Sequence, residues 1–323
     1  MSDDLPDFAA VAAAHDRIGP FVKHTPVWRS AQFDARVSQQ VFFKCENLQH
    51  GGAFKYRGAI NALLQLPNSE RIDTVATHSS GNHGTALALA ARARGLRCIV
   101  VMPEDASPKK LAAVRGAGAE VVLSSPGTAA REAKLTDVLR SRRAHVVHPF
   151  DDSRVIAGQG TAALELLCEQ PQLDCVVVPV GGGGLIGGTA LACKGVNLAI
   201  RVVGAEPAMA DDAARSFSSG LRQSAGVPDT IADGLRGSIG ARNFALLRTH
   251  VDAVVTVSEA EIVAAMNIVQ SDLKLVIETS SAVAVAAVLA GALARPREIA
   301  PVGAKIGVIL SGGNIDLSGA VVS

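Results

Sequence analysis

Short runs rich in Val and Ile recur along the chain, and most lead into a segment of helical pattern. "TVATHSS" precedes "GNHGTALALAARARG", "RCIVVMP" precedes "SPKKLAAVRGAG", and "EVVLSS" precedes "TAAREAKLTDVLRSRRA" before "HVVHPF" closes that series. "GQGTAALELLCEQ" then leads to "CVVVPVGGGGLIGGTALACKG", "RVVGAEP", "DAVVTVS" and "KIGVILSGGNID". A strand with one wet face alternates apolar and polar residues. These runs are nearly continuous, so both faces must be covered, as in parallel sheets joined by helical crossovers. Such crossovers are right-handed. The pattern predicts an α/β fold, and a change of character at "DDSRVIAG", residues 151–158, separates two βα series.

Composition supports a large core and narrows the partners. Of 323 residues, 48% are hydrophobic and 19% charged. That length suits about two domains or one large α/β unit. A net charge of +1 without a basic run argues against nucleic acid or an anionic membrane as the main partner. Cys45, Cys98, Cys168, Cys175 and Cys193 are odd in number and form no C-x-x-C pair, which argues against a disulfide framework and a structural zinc site. The acidic start "MSDDLPDFAAVAAAHDRIG" does not read as a secretory signal. The run "SSAVAVAAVLAGALARP" is shorter than the roughly 20 residues a bilayer requires, and it reads as a buried helix. A soluble, cytoplasmic protein is expected.

Ligands of open α/β sheets bind beyond the carboxyl ends of the strands, where the distinctive turns of this chain lie. In "GGAFKYRGA", Phe54 and Tyr56 flank Lys55 although aromatics make up 3% of the chain. A lysine amine becomes a nucleophile when desolvation or a nearby positive charge lowers its pKa. The two aromatics could desolvate it and Arg57 could repel it; the ordinary alternative is a solvated surface lysine. In "PVGGGGLIGG", Gly181, Gly182, Gly183 and Gly184 separate a strand from a helix. Such a loop can aim several N–H groups at one anion, helped by the helix N-terminus. It lacks the Lys-Ser/Thr ending of a P-loop, and a phosphate monoester is its natural guest. In "HSSGNHG", Ser79, Ser80 and Asn82 could simply cap a helix, or the helix start could hold a substrate carboxylate. In "LSGGNID", Ser311 is either a turn residue or a neutral hydroxyl placed to meet a heterocyclic nitrogen. A Schiff-base lysine, a phosphate loop, a carboxylate site and a ring-nitrogen partner together point to pyridoxal phosphate.

The motifs "FKYRGA", "SSGNHG", "IAGQGT", "PVGGGGL" and "SGGN" occur in an order that resembles fold type II pyridoxal-phosphate enzymes of the serine/threonine dehydratase and serine racemase group. The resemblance runs from "HTPVWRS" to "SGGNIDL". It implies a tryptophan synthase beta-like fold: two doubly wound α/β domains with the cofactor between them, a large one of residues 1–73 and 152–323 and a small one of residues 74–151 inserted in it. It implies that Lys55 carries the cofactor, Phe54 packs beside the ring and Asn82 meets the ring hydroxyl. Gly181 to Gly184 would hold the phosphate, and Ser311 the pyridine nitrogen. On the substrate side it implies Ser79, Asn82, His83, Arg131 and Ser238. The serine racemase and threo-3-hydroxyaspartate dehydratase branch is favoured, because Ser80 matches that branch's acid/base serine on the second face. "GAEPAMADD" resembles its divalent-cation segment, with Glu206, the Ala210 carbonyl and Asp212 as ligands for Mg²⁺ or Ca²⁺; a solvated helix start is the plain alternative. A homodimer is also implied.

Three departures stand out. "GGAFK" lacks the hydroxyls usual ahead of the lysine. Phe150 in "HPFDDS" looks dehydratase-like. "IETSSA" lacks the usual proline after Glu278. A C-terminal regulatory domain is not expected. The expected activity is a dehydratase, an ammonia-lyase converting L-serine, L-threonine or threo-3-hydroxyaspartate to a 2-oxo acid. A serine or aspartate-type racemase with side dehydratase activity is the nearest alternative. β-Replacement and a non-catalytic binding protein for pyridoxal phosphate or another small ligand are more distant ones.

Overall fold

The computed structural model describes residues 5–67, 72–79, 81–291 and 303–315. The N-terminal part forms α1 (Phe8–Ile18), β1 (Val27–Trp28), α2 (Ala31–Val37), β2 (Gln40–Lys44) and α3 (Lys55–Leu64). There follow β3 (Thr74–His78), α4 (Asn82–Ala93), β4 (Arg97–Pro103), α5 (Pro108–Gly116), β5 (Glu120–Ser124), α6 (Thr128–Ser141) and β6 (His145–Val146). The remainder comprises α7 (Ser153–Glu169), β7 (Cys175–Pro179), α8 (Gly184–Val196), β8 (Arg201–Pro207), α9 (Asp212–Ser219), α10 (Ala241–His250), β9 (Ala253–Val257), α11 (Glu259–Ile268), α12 (Thr279–Leu289) and β10 (Lys305–Ile309).

These strands build a six-stranded sheet, β1-β2-β10-β7-β8-β9, and a four-stranded sheet, β5-β4-β3-β6. Every pairing is parallel except β1 with β2 at one edge. Strands β3 and β7 are buried along their whole length, as covered faces demand. The chain has an α/β fold of parallel sheets. Strand β2, "QVFFK", packs two phenylalanines where the others carry Val/Ile runs, so that pattern does not single it out. The long alanine-rich run forms α12, buried from Ser280 to Val288; its last residues, 292–296, lie outside the described ones. No described helix is long and apolar enough to cross a membrane. We propose the domain division of 1–73 with 152–323 and of 74–151 from the sequence break and the separate strand sets.

Two features fix α3. It crosses α7 closely, and a Cβ at Gly158 would stand 2.7 Å from the Gly58 Cα. Only glycine permits that approach, which gives "IAGQGT" its role. Immediately before Gly58, Arg57 is fully buried. Its guanidinium donates to both Glu46 oxygens, Nε at 2.7 Å and Nη2 at 2.8 Å, and to both Glu165 oxygens at 2.6 and 2.8 Å. Lys44 Nζ lies 2.7 Å from Glu165, so two cations balance two carboxylates. The sequence-based expectation that Arg57 repels Lys55 is therefore corrected: its charge is neutralised by Glu46 and Glu165 and does not contribute to the Lys55 shift.

Replacing Arg57 by Met leaves two carboxylates buried without their main counter-charge. The expected loss is about 3–5 kcal/mol in denaturant unfolding. Arg140→Ala, which breaks an exposed pair with Asp137, should leave the midpoint nearly unchanged.

Candidate active site

The two sheets meet at a cleft lined by the turns singled out from the sequence. Lys55 opens α3 and follows Phe54, whose N–H donates to the Ser311 carbonyl at 3.0 Å. The Lys55 amine reaches into the cleft, donates to the Pro149 carbonyl at 3.0 Å and stands 5.0 Å from the Phe54 ring centroid. Burial pushes its pKa down to about 8, because a desolvated ammonium loses its hydration; the Glu278 carboxylate opposes the shift. Tyr56 turns away and packs against His50, with ring centroids 4.9 Å apart, so Phe54 is the aromatic beside the amine. Ser311 also lines the cleft.

Gly181, Gly182 and Gly183 form the turn between β7 and α8, which begins at Gly184. Gly183 has φ +89°, and a Cβ on Gly182 would lie 2.3 Å from the Phe150 ring, so neither position accepts a side chain without displacement. Asn243, on α10, donates to the carbonyls of Gly182 (2.8 Å) and Phe150 (2.9 Å). Gly240 N–H adds a bond to Gly182 at 3.1 Å. The first N–H groups of α8 have no intrahelical acceptor and favour an anion. Asn243 belongs to no motif, so nothing in the sequence pointed to it.

The polar helix start is partly a cap. The Ser79 oxygen accepts from the N–H groups of Gly81 (3.1 Å) and Gly84 (3.0 Å), which leaves its hydroxyl proton to donate. Asn82 donates to both oxygens of Glu278, at 2.9 and 3.0 Å, and accepts from Asn314 at 2.9 Å. His83 is buried on the cleft wall, and neither ring nitrogen makes a well-formed hydrogen bond. Burial and the nearby Lys55 hold it well below the usual range, so it is neutral. Ser80 lies outside the described residues. Arg131 lines the cleft from α6, bonded to Thr128 at 2.9 Å, with its Nε buried and unpartnered. Ser238 is not brought in: it lies just past the wall residue Gly237, and its hydroxyl accepts from the Ala225 N–H at 2.9 Å.

Glu278, Lys110 and Asp233 are wall residues that motif reasoning missed. Lys110 of α5 pairs with Asp233 across the cleft mouth. Glu278 is buried, and burial raises its pKa against the pull of Asn82 and Lys110. Ligand atoms of His78, Glu132 and His148 lie within 4.8 Å of one another. His148 Nδ1, however, accepts from the N–H groups of Asp151 (2.8 Å) and Phe150 (3.3 Å). The neutral ring therefore carries its proton on Nε2 and is a donor there, which suits a hydrogen-bond partner better than a metal.

Glu206 is the last residue but one of β8, and Asp212 opens α9 just beyond Ala210. All three are buried. Glu206 accepts from the N–H groups of Ala213 (3.1 Å) and Ala214 (2.8 Å), and Asp212 from Ile239 (2.8 Å). The other Asp212 oxygen has no partner. Burial, with the charges of Asp212 and Asp211, pushes Glu206 up to about 9, and burial with the Asp211 charge pushes Asp212 up to about 6. These are carboxylates that a cation would keep ionised.

Residues 18–312 match the family model described as pyridoxal-phosphate dependent enzyme. The chain is 44% identical over 311 residues to a serine racemase of Arabidopsis thaliana, covering 96% of this chain and 94% of that protein. It is 43% identical over 313 residues to a beta-hydroxyaspartate dehydratase of Paracoccus denitrificans, covering 97% and 98%. Among solved structures, maize serine racemase superposes with a TM-score of 0.94 at 40% identity, over 98% of this chain and 95% of that one.

Modification of Lys55 in cofactor-free protein by a small amine reagent, followed by peptide mass spectrometry, should rise through a pH of about 8. Exposed lysines should do so near the ordinary 10.5. Glu278→Gln should lower the Lys55 midpoint further, since it removes a negative charge that favours the ammonium; an unchanged midpoint contradicts the account of the shift.

Proposed function

As the chain belongs to the pyridoxal-phosphate dependent enzyme family, we propose that it is an ammonia-lyase acting on a small β-hydroxy amino acid, with 3-hydroxyaspartate and serine the leading substrates. One observation carries this: a buried amine with its pKa near 8 faces a side-chain-free glycine turn at a helix N-terminus within one cleft. The cleft suits the cofactor. The cradle at Gly182 is one a Cβ would fill, and Asn82 and Ser311 stand on the wall beside Lys55. Lys55 would hold it, Phe54 would flank the ring, Gly181 to Gly184 would take the phosphate, Asn82 the ring hydroxyl and Ser311 the ring nitrogen.

Pyridoxal phosphate, when bound, supplies a carbonyl that captures the substrate amine and a conjugated ring that accepts the electron pair released at the α-carbon. The protein supplies the rest. The Lys55 amine, neutral in useful fraction near physiological pH, takes the α-proton as general base. Ser79, through its free hydroxyl proton, and the N–H groups at the start of α4 hold the α-carboxylate. Ser311 offers a neutral hydroxyl where a carboxylate would favour a protonated ring nitrogen. Arg131, half-buried with an unpartnered Nε, suits a second carboxylate such as that of 3-hydroxyaspartate. The β-hydroxyl leaves with a proton as water, and a water then adds back to release ammonia and leave a 2-oxo acid.

The serine racemase resemblance supports racemisation as a second activity, with Ser80 as acid/base on the opposite face from Lys55. We propose further that Glu206, Asp212 and the Ala210 carbonyl bind Mg²⁺ or Ca²⁺, which the unpartnered Asp212 oxygen supports. A cytoplasmic homodimer completes the reading.

Steady-state 2-oxo acid release from L-serine, L-threonine and threo-3-hydroxyaspartate, with enantiomer analysis of residual serine, tests the activity. Elimination from none of them removes the proposal. Borohydride should fix the cofactor to the peptide containing Lys55, and Ser80→Ala should reduce racemisation far more than elimination. Chelator should lower activity and melting temperature, and Mg²⁺ or Ca²⁺ should restore both. The change Glu206→Ala with Asp212→Ala should abolish that response, and a wild-type protein indifferent to chelator and metal would show the carboxylates to be structural only.

A further inference from the structure

The Asn82 amide is oriented from outside its own helix. Its nitrogen donates to both Glu278 carboxylate oxygens, at 2.9 and 3.0 Å, and its oxygen accepts from the Asn314 amide at 2.9 Å. Asn314 also donates to the Gly51 carbonyl at 2.7 Å, in the loop that leads to Lys55. Rotating the Asn82 amide by half a turn would set its oxygen against a carboxylate and its NH₂ against another NH₂. The orientation is thus decided by the chemistry of its partners. Both acceptors are oxygens of one carboxylate, so a single amide hydrogen aimed between them can serve both, which would leave the second for a ligand.

Glu278 is well placed to impose this. It is buried, so its oxygens need protein donors. Its main chain is held at the start of α12: its N–H donates to the Gly312 carbonyl at 3.0 Å, and its carbonyl accepts from Ser281 (2.9 Å) and Ala282 (3.1 Å). Glu278 and Asn314 come from the six-stranded side of the cleft and Asn82 from the four-stranded side. The contacts therefore also tie the two sheets together beside Lys55.

We propose that Glu278 and Asn314 are positioning residues that clamp Asn82 as a fixed N–H donor toward a ligand oxygen next to Lys55. This deepens, and rests on, the pyridoxal phosphate reading. The ligand group it selects is an acceptor oxygen on the ring, and the selectivity comes from two residues that need not touch the ligand.

The test has two arms. In holoprotein, the visible absorbance and induced circular dichroism of the bound cofactor, and its release rate, are compared for wild type, Asn82→Ala, Glu278→Ala, Asn314→Ala and the double change Asn82→Ala with Glu278→Ala. Glu278→Ala should reproduce the spectral change of Asn82→Ala and release the cofactor about tenfold faster than wild type, the equivalent of one hydrogen bond. The double variant should add nothing. Additive effects, or a wild-type spectrum for Glu278→Ala, overturn the clamp. In cofactor-free protein, the Asn82 side-chain amide NMR pair should be widely split and slow to exchange, and should collapse in Glu278→Gln and Asn314→Ala. An unchanged pair overturns the clamp, whereas a wild-type protein that acquires no chromophore overturns the cofactor reading and leaves the NMR arm to judge the clamp.

Discussion

The buried Arg57 fork is the interaction on which the active-site geometry depends. It sits two residues from Lys55 on the first turn of α3 and ties that turn to Glu46 beyond β2 and to Glu165 on α7. A solvated ion pair could not do this, because water would compete for every bond. Buried, each partner is required by the others: losing one leaves an uncompensated charge in a medium that cannot solvate it. The close crossing at Gly58 and Gly158 adds a steric limit to the electrostatic one. Together they fix where the Lys55 backbone lies.

The cleft then follows from strand direction. All strands but β1 pair in parallel, so the segments after β3, β7 and β10 converge on one region. Two of them run into helix starts, at Asn82 and Gly184, and both present unpaired N–H groups. A ligand with an anionic group at each end is met by a partial positive charge at each end. The cationic groups between are kept few. Burial lowers Lys55 toward neutrality, and His83, His78 and His148 are all shifted below the usual imidazole range. Glu278 provides the opposing charge near Lys55.

The second carboxylate pair, Glu206 with Asp212, shows the same physics with a different outcome. Its oxygens take main-chain N–H groups around α9, yet one Asp212 oxygen stays unpartnered and both groups are pushed toward neutrality. The start of α9 supplies the Glu206 bonds, and Ile239, in the loop before α10, supplies that of Asp212. Neither accounts for the unpartnered oxygen, which is the feature behind the proposed cation.

The sequence by itself determined the α/β class, since uninterrupted Val/Ile runs are stable only when both faces are covered. It also determined the glycine turn, because that is local: a backbone without Cβ atoms is visible in ten consecutive residues. Relations between distant segments were decided only by the tertiary structure. Arg57 looked like a charge that would repel Lys55 until folding brought Glu46 and Glu165 to it. Asn243 holds the glycine turn from sixty-odd positions downstream, and Glu278 holds Asn82 across a separation of 196 residues. Tyr56 and Ser238 carried no mark to show that one turns toward His50 and the other toward Ala225. Such partners share no spacing rule, because a hydrogen bond between segments depends on where two sheets place them and not on the residues beside them.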